Sequence, residues 1–237
     1  MFPALSSQRP SGSGKLAIEP LWLEWLTLGG LLLFAGWLLG VRGVWALLFR
    51  SDPTGITLVI VVVFIAATLW SGARSRELGA QRRLLEQALS MSSAAMLQAP
   101  GWAGEYWRAL AAAPRDAAAP MDLLLERTHG PHGPAWWVNG IQLKLGLLGK
   151  VIGFSMLALE IGHLQNFDAS QSQDLLRSLT NGLGVALLTT MVGLVGNIIL
   201  GMQLTRLDRY ADQFVFGAQQ QSLALSATAG GPLTSAS

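Results

Sequence analysis

Residues 178–205, SLTNGLGVALLTTMVGLVGNIILGMQLT, carry no charge and are bounded by Arg177 and Arg206. An apolar run of this length is sufficient to cross a bilayer as a helix. Its small and polar residues recur at spacings of three and four, which places them on one helical face. They are Gly182, Ala186, Thr190, Gly193, Asn197 and Gly201. Such a face either packs closely against another helix or lines a narrow hydrated path, and the sequence leaves both interpretations open.

The expected companion of this helix is residues 141–164, IQLKLGLLGKVIGFSMLALEIGHL. Five of its residues, at spacings of four, three, four and three, follow one broad helical face. They are Gly146, Lys150, Gly153, Leu157 and Glu160. An ionisable residue inside an apolar span is energetically expensive, so by default it raises a functional-site hypothesis. Two glycine-striped helices, one of which holds a lysine, therefore form the centre of the functional prediction.

The composition indicates a membrane protein. The 237 residues are 51% hydrophobic and 13% charged, with a mean hydropathy of +0.42. A disordered chain is excluded, and an ordinary soluble domain would carry nearly twice the charge. The chain contains no cysteine, so disulfides, thiolate metal sites and cysteine nucleophiles are ruled out. The arginines cluster beside apolar segments rather than in a basic, aromatic stripe, which favours the lipid bilayer and not nucleic acid as a partner.

Four spans divide the chain, and the predicted architecture is an all-α integral membrane protein. The apolar runs 25–41 and 53–73 form a first hairpin, and the two glycine-striped helices form the second. The predicted segments are a flexible tail at 1–17, a transmembrane hairpin at 18–73, a helical segment at 74–138, a two-span region at 139–221 and a flexible tail at 222–237. Residues 165–177 are predicted to form a short polar loop. The 74–138 segment is expected to contain short helices around Trp102–Ala112 and residues 121–127, separated by Pro114 and Pro120.

Basic residues set the predicted orientation. Arg74, Arg76, Arg82 and Arg83 directly follow the second span, and Arg206 and Arg209 follow the fourth. Basic residues concentrate on the cytoplasmic side of membrane proteins. Arg42 and Arg50 in the first loop weigh mildly against this orientation but are outnumbered. We therefore expect both termini and residues 74–138 in the cytoplasm, with the second and fourth helices extending into it.

No residue pattern indicates an enzyme. His129 and His132 stand in THGPHGP, and two histidines among turn-forming residues lack the further ligands that a metal site needs. We interpret this segment as a turn before the third span. No Ser/His/Asp constellation is visible, and neither a catalytic residue nor a metal or organic cofactor is expected.

Residues 145–154, LGLLGKVIGF, and 185–198, VALLTTMVGLVGNI, resemble the two signature helices of the MotA/TolQ/ExbB proton channel family. The resemblance covers roughly residues 140–212. Together, in this order and across a short acidic loop, the two patterns are fairly specific. The arrangement of two spans, a cytoplasmic segment and two further spans is similar to the MotA branch.

The resemblance implies a homopentamer in the bacterial inner membrane, with the third and fourth spans around a central pore. The pore would hold the spans of two copies of a single-span partner similar to MotB, TolR or ExbD. Flow of H+ or Na+ would then drive mechanical work as a partner aspartate is protonated and released. Thr190 falls on the position where the family places a pore-facing threonine.

The chain departs from the family pattern at two positions. Lys150 stands where similar members carry threonine, and Val185 stands where they carry a pore-facing glutamate. The candidate pore-lining or partner-facing residues are Lys150, Gly153, Thr189, Thr190, Gly193 and Asn197, with Glu160 at the pore entrance. Thr189 has an alternative role in bonding its own helix backbone, and Lys150 has an alternative in snorkelling toward the membrane boundary. A non-conducting oligomeric scaffold or sensor with the same fold is the alternative function.

Overall fold

The computed structural model describes residues 21–52, 54–113, 116–162 and 169–229. Every regular element in these ranges is an α-helix. The helices are α1 (Leu21–Val41), α2 (Val44–Ser51), α3 (Ile56–Leu89), α4 (Ser93–Met96), α5 (Trp102–Ala112), α6 (Ala118–His129), α7 (His132–Gly162) and α8 (Ala169–Ala229). The predicted tail at 1–17 lies outside the described residues.

Four of the described helical stretches are long and apolar enough to cross a membrane. They are Leu23–Val41, Ile56–Leu89, Ala118–Leu159 and Gly182–Leu225. They correspond to α1, α3, α7 with the preceding α6, and α8. The prediction of an all-α protein with four helices long and apolar enough to span a membrane is therefore confirmed for the described residues.

The centre of the bundle is formed by α3, α7 and α8, with α1 packed on α3. The indole of Trp25 lies across Gly72 of α3, and its Nε1 donates a hydrogen bond of 3.1 Å to the carbonyl oxygen of Thr68. Most other large side chains of α1 are exposed, including Leu33 at 78% exposure. An apolar helix surface of this kind is stable in lipid and not in water.

Beyond its apolar part, each of α3 and α8 continues as a helix that packs against α5 and α6. Trp107 of α5 is buried, and its Nε1 donates a hydrogen bond of 2.9 Å to the carbonyl oxygen of Ala218. Leu85 of α3, Leu124 of α6 and Phe214 of α8 belong to the same apolar cluster. We call this end of the molecule, which also carries Arg74, the basic end.

The opposite end is fixed where α3 begins. Gly55 adopts a positive φ of 72°, and the carboxylate of Asp52 accepts a hydrogen bond of 2.6 Å from the amide of Thr57 in the first helical turn. Burial raises the pKa of Asp52, but hydrogen bonds from Thr54 and Thr57 outweigh it and bring the pKa below its usual value. The charged cap thus sets the start of the second span.

Several helices extend further than the sequence pattern indicates. Helix α8 begins at Ala169, inside the segment 165–177 that was expected to be a loop, and continues to Ala229, inside the expected tail. Pro120, expected to separate two helical pieces, lies in the first turn of α6. Proline is tolerated there because the first-turn amides have no intrahelical acceptor. Polar residues alone therefore did not mark the helix ends.

Candidate functional site

The predicted small-residue faces of α7 and α8 meet each other within one chain. A Cβ atom on Gly193 would lie 2.8 Å from the carbonyl oxygen of Gln142 and 3.0 Å from the Cα of Gly146. A Cβ on Gly153 would lie 2.9 Å from the carbonyl oxygen of Gly182. These separations leave no room for a side chain, so glycine is what permits the backbones to approach. We call this contact the α7–α8 interface.

Two threonines of α8 lie near the midpoint of the α7–α8 interface along its length. Thr189 is fully buried, and its hydroxyl donates a hydrogen bond of 2.8 Å to the carbonyl oxygen of Val185. The Thr190 hydroxyl lies 2.8 Å from the carbonyl oxygen of Ala186 and 3.2 Å from that of Gly146 across the interface. Each hydroxyl hydrogen is therefore directed at backbone within the chain, while the oxygen lone pairs remain able to accept a hydrogen bond.

Toward the basic end the interface changes from small residues to amides. Asn197 Nδ2 donates a hydrogen bond of 2.8 Å to the carbonyl oxygen of Asn139. Asn139 is 6% exposed and Gln142 is fully buried. The Oδ1 of Asn139 and both amide atoms of Gln142 have no hydrogen-bond partner among the described residues. Buried amides without partners are destabilising, so this part of the span is a polar site inside an apolar environment.

A cluster of polar side chains closes the interface at the basic end. Asp208 of α8 lies 2.6 Å from Nδ1 of His132 and accepts a hydrogen bond of 2.9 Å from Nε1 of Trp136. Arg74 of α3 is 6% exposed and donates hydrogen bonds to the carbonyl oxygens of Arg127 and Thr128, at 2.7 and 2.9 Å. Its Nε lies 3.4 Å from Nε2 of His132. This cluster joins α3, α6, α7 and α8.

The histidines of THGPHGP form a turn and also contribute to this cluster. Helix α6 ends at His129 and α7 begins at His132. His129 Nε2 lies 3.0 Å from Asp212, one helical turn after Asp208. Among the described residues, no group of three or more His, Cys, Asp or Glu side chains is placed to hold a metal ion. Sequence reasoning missed these pairs, although the spacing of four between Asp208 and Asp212 was a readable signal.

Replacing Asp208 tests this cluster. We expect Asp208→Ala to lower the free energy of unfolding by about 2 kcal/mol, because His132 and Trp136 lose their shared acceptor. Trp136→Phe, which removes only one donor, should cost clearly less. Thermal unfolding of both variants in detergent measures the difference, and equal losses would show that Asp208 does not hold the two side chains together.

One side of the α7–α8 pair is covered by α3, and the other side is open among the residues that the structure describes. Phe64 of α3 lies near Gly196, on the covered side. Residues that helical phase places on the opposite side are exposed, including Lys150 of α7 and Leu194 of α8. The Lys150 Nζ lies 5.9 Å from the centroid of the Phe154 ring and forms no ion pair with any described residue. We call this side the open face.

The open face contains a groove of about 470 Å³ near the basic end. Only residues of α7 and α8 line it, and they combine polar and apolar groups: Trp136, Asn139, Asn197, Ile198, Gly201, Met202, Thr205, Arg206 and Arg209. The buried amide of Asn139, with its unpartnered Oδ1, lies at this groove. The open face thus presents a lysine in the membrane and an amide groove nearer its boundary.

The predicted site residues therefore divide into three groups. Gly153, Thr189 and Gly193 are buried in the α7–α8 interface, and Thr190 and Asn197 lie half-buried at its edge. Lys150 is exposed on the open face. Glu160 belongs to α7, but its side chain lies outside the described part of the structure. Val185, which the resemblance aligns with a family glutamate, is 3% exposed.

Comparison of the chain with protein-family models, curated proteins and solved structures gives no match. The resemblance of residues 145–154 and 185–198 to the MotA/TolQ/ExbB proton channel family therefore stays a prediction.

Proposed function

We propose that the protein is the pore-forming subunit of an ion-motive-force-driven motor in the bacterial inner membrane. Five copies surround two copies of a single-span MotB/TolR/ExbD-like partner, and H+ or Na+ flow drives mechanical work. The open faces of α7 and α8 line the pore, and both termini and the basic end are cytoplasmic. The proposal rests on the motif resemblance and on the placement of Lys150.

The position of Lys150, exposed within the apolar span, is the main support for the proposal. Nine residues separate it from Ile141, so it lies about 14 Å along the helix from the start of the apolar run. A charged side chain at the centre of a span costs about 2.5 to 3.5 kcal/mol on insertion scales. Phe154 supplies a weak cation–π contact, but no described carboxylate neutralises the ammonium. A carboxylate on a partner helix in the pore supplies the missing charge.

Glycines and threonines on α7 and α8 support the same proposal. Because the two helices are in backbone contact, they form one rigid wall whose open face keeps Thr190 half-buried and Lys150 exposed. On this wall the Thr190 oxygen can accept a hydrogen bond from water or from a protonated partner carboxyl group, and Lys150 can donate to a partner carboxylate.

The proposal is tested by ion flux in liposomes. The purified protein, co-reconstituted with a single-span MotB/TolR/ExbD-like protein, should carry H+ or Na+ only when the partner is present. Flux from the protein alone, or none with any partner, would contradict the motor function.

A non-conducting scaffold or sensor is the second candidate function. Three observations favour it: both threonine hydroxyls donate to backbone carbonyls within the chain, Val185 replaces the family glutamate, and Lys150 repels free cations. A complex that assembles with the partner but shows no flux in any state would establish this function instead.

The orientation is tested by cysteine labelling, which the absence of native cysteine makes unambiguous. A cysteine at Ser172 should react with a membrane-impermeant maleimide from outside the cell. A cysteine at Ser92, after α3, should react only after the membrane is opened, because the basic end is cytoplasmic. The reversed pattern would overturn the orientation.

A further inference from the structure

A second groove lies near the basic end, between α1, α3 and α8, and shares Met202 and Arg206 with the first groove. Its volume is about 480 Å³. The part that extends into the apolar region is lined by Leu28 and Leu31 of α1 and Met202 of α8. Leu31 and Met202 are 63% and 62% exposed, so the apolar wall opens onto the lipid. The apolar part of the groove therefore suits the acyl chains of a lipid.

A buried amide lies at the polar end of the groove. Gln203 is 5% exposed, and its Nε2 lies 3.4 Å from the hydroxyl of Thr68. Its Oε1 has no hydrogen-bond donor among the described residues. An unpartnered buried oxygen is energetically unfavourable, and a ligand that donates an N–H or O–H group relieves that cost.

Two opposite charges stand at the mouth of the groove. Glu24 of α1 and Arg206 of α8 lie 3.1 Å apart, and their side chains are 36% and 64% exposed. Both side chains remain partly exposed, so each can also contact a ligand. Arginine binds phosphate through paired hydrogen bonds, and a carboxylate binds an ammonium group. The mouth is therefore complementary to a ligand that is itself a dipole of phosphate and ammonium.

We propose that this groove is a binding site for a phospholipid with a primary ammonium headgroup, phosphatidylethanolamine. The phosphate contacts Arg206, and the ammonium donates hydrogen bonds to the carboxylate of Glu24 and to Oε1 of Gln203. The acyl chains lie along Leu28, Leu31 and Met202. The site shares Met202 and Arg206 with the groove on the open face, but its other residues belong to α1, α3 and α8 of one chain, so it does not require the proposed motor function.

Headgroup chemistry distinguishes this lipid from the other common ones. Phosphatidylcholine has the same charges, but its quaternary ammonium has no N–H to donate to Gln203. Phosphatidylglycerol has hydroxyl donors but no cation for Glu24. A hydrogen bond to a charged group is worth about 1.5 to 3 kcal/mol, which corresponds to a preference of about tenfold or more.

Native mass spectrometry of the full-length protein, released from detergent with each lipid added in turn, measures this preference. We expect the wild-type protein to retain phosphatidylethanolamine about tenfold better than phosphatidylcholine. Equal retention of the two lipids, or stronger retention of phosphatidylglycerol, would overturn the proposal.

Variants assign the preference to this groove. Gln203→Leu should bring retention of phosphatidylethanolamine down to that of phosphatidylcholine, and Gln203→Glu should preserve the preference. Gln142→Leu is the matched control, because Gln142 is also a buried amide with an unpartnered oxygen but does not line the groove. Glu24→Gln, at a partly exposed position, removes the carboxylate that contacts the ammonium of either lipid, so it should lower retention of both, and it keeps the test valid if Gln203→Leu does not fold. Preference that persists in Gln203→Leu, or unchanged retention of both lipids in Glu24→Gln, would place the lipid elsewhere.

Discussion

Gly193→Leu is expected to separate α7 from α8 and to abolish the folded bundle. A Cβ at this position would already lie within 3.0 Å of two backbone atoms of α7, and a leucine adds three further carbons. Backbone atoms cannot move aside as a flexible side chain does, so the helices must part or shift. Overpacking a well-packed core costs about 1 to 3 kcal/mol. We expect Gly193→Leu to cost at least the upper value, because its close contacts are with backbone atoms. Thermal unfolding in detergent and protease sensitivity measure the loss.

Gly184→Leu provides the matched control on the same helix. A Cβ on Gly184 meets no atom within 4 Å in the single chain, so the substitution should leave the unfolding temperature nearly unchanged. Comparing the two variants also separates contacts within a chain from contacts between chains. If Gly184→Leu lowers the unfolding temperature as much as Gly193→Leu does, the loss of stability is not specific to the α7–α8 interface. If both variants are stable, the close approach of the two helices is not required.

The spans and the α7–α8 contact could be predicted because their physical signals are local. An uncharged run of about 20 residues specifies a membrane helix by length alone. Recurring small residues at spacings of three and four specify a close-packed face. Both signals are present in residues 178–205. What the pattern left open was whether Gly193 faces its own chain or another, and the structure places it against Gln142 and Gly146 of the same chain.

The polar cluster at the basic end could not be predicted in the same way, because its members come from four helices. Arg74 was assigned only to the positive end of a span, whereas its side chain is buried against the carbonyl oxygens of Arg127 and Thr128. Asp208 and His132 are 76 residues apart in the chain. Counting basic residues indicates on which side of the membrane a segment lies. Which charged side chains pair with each other depends instead on how the helices pack. The unpartnered side-chain oxygens of Gln142 and Gln203 also become visible only when burial is known.

Lys150→Met is expected to abolish partner-dependent ion flux while leaving the chain folded. Methionine is close to lysine in length and is apolar, so it suits an exposed position on a membrane helix. The substitution also removes the cost of holding an ammonium in the span. In the proposed complex, however, loss of the ammonium leaves the partner carboxylate without a counter-charge in the pore. Truncating one partner of a buried ion pair costs about 2 to 5 kcal/mol, so partner affinity should fall by at least about thirtyfold. Co-purification measures the affinity, and liposome flux measures the function.

Lys144→Met is the matched control for the loss of a positive charge. Lys144 lies six residues earlier on α7, is also exposed, and by helical phase points away from Lys150. This variant should retain both partner binding and flux. Equal losses in the two variants would mean that the overall charge of α7 matters and that Lys150 has no specific contact. If Lys150→Met behaves like the wild-type protein in both assays, the lysine snorkels to the membrane boundary, and the open face is not the surface that meets the partner.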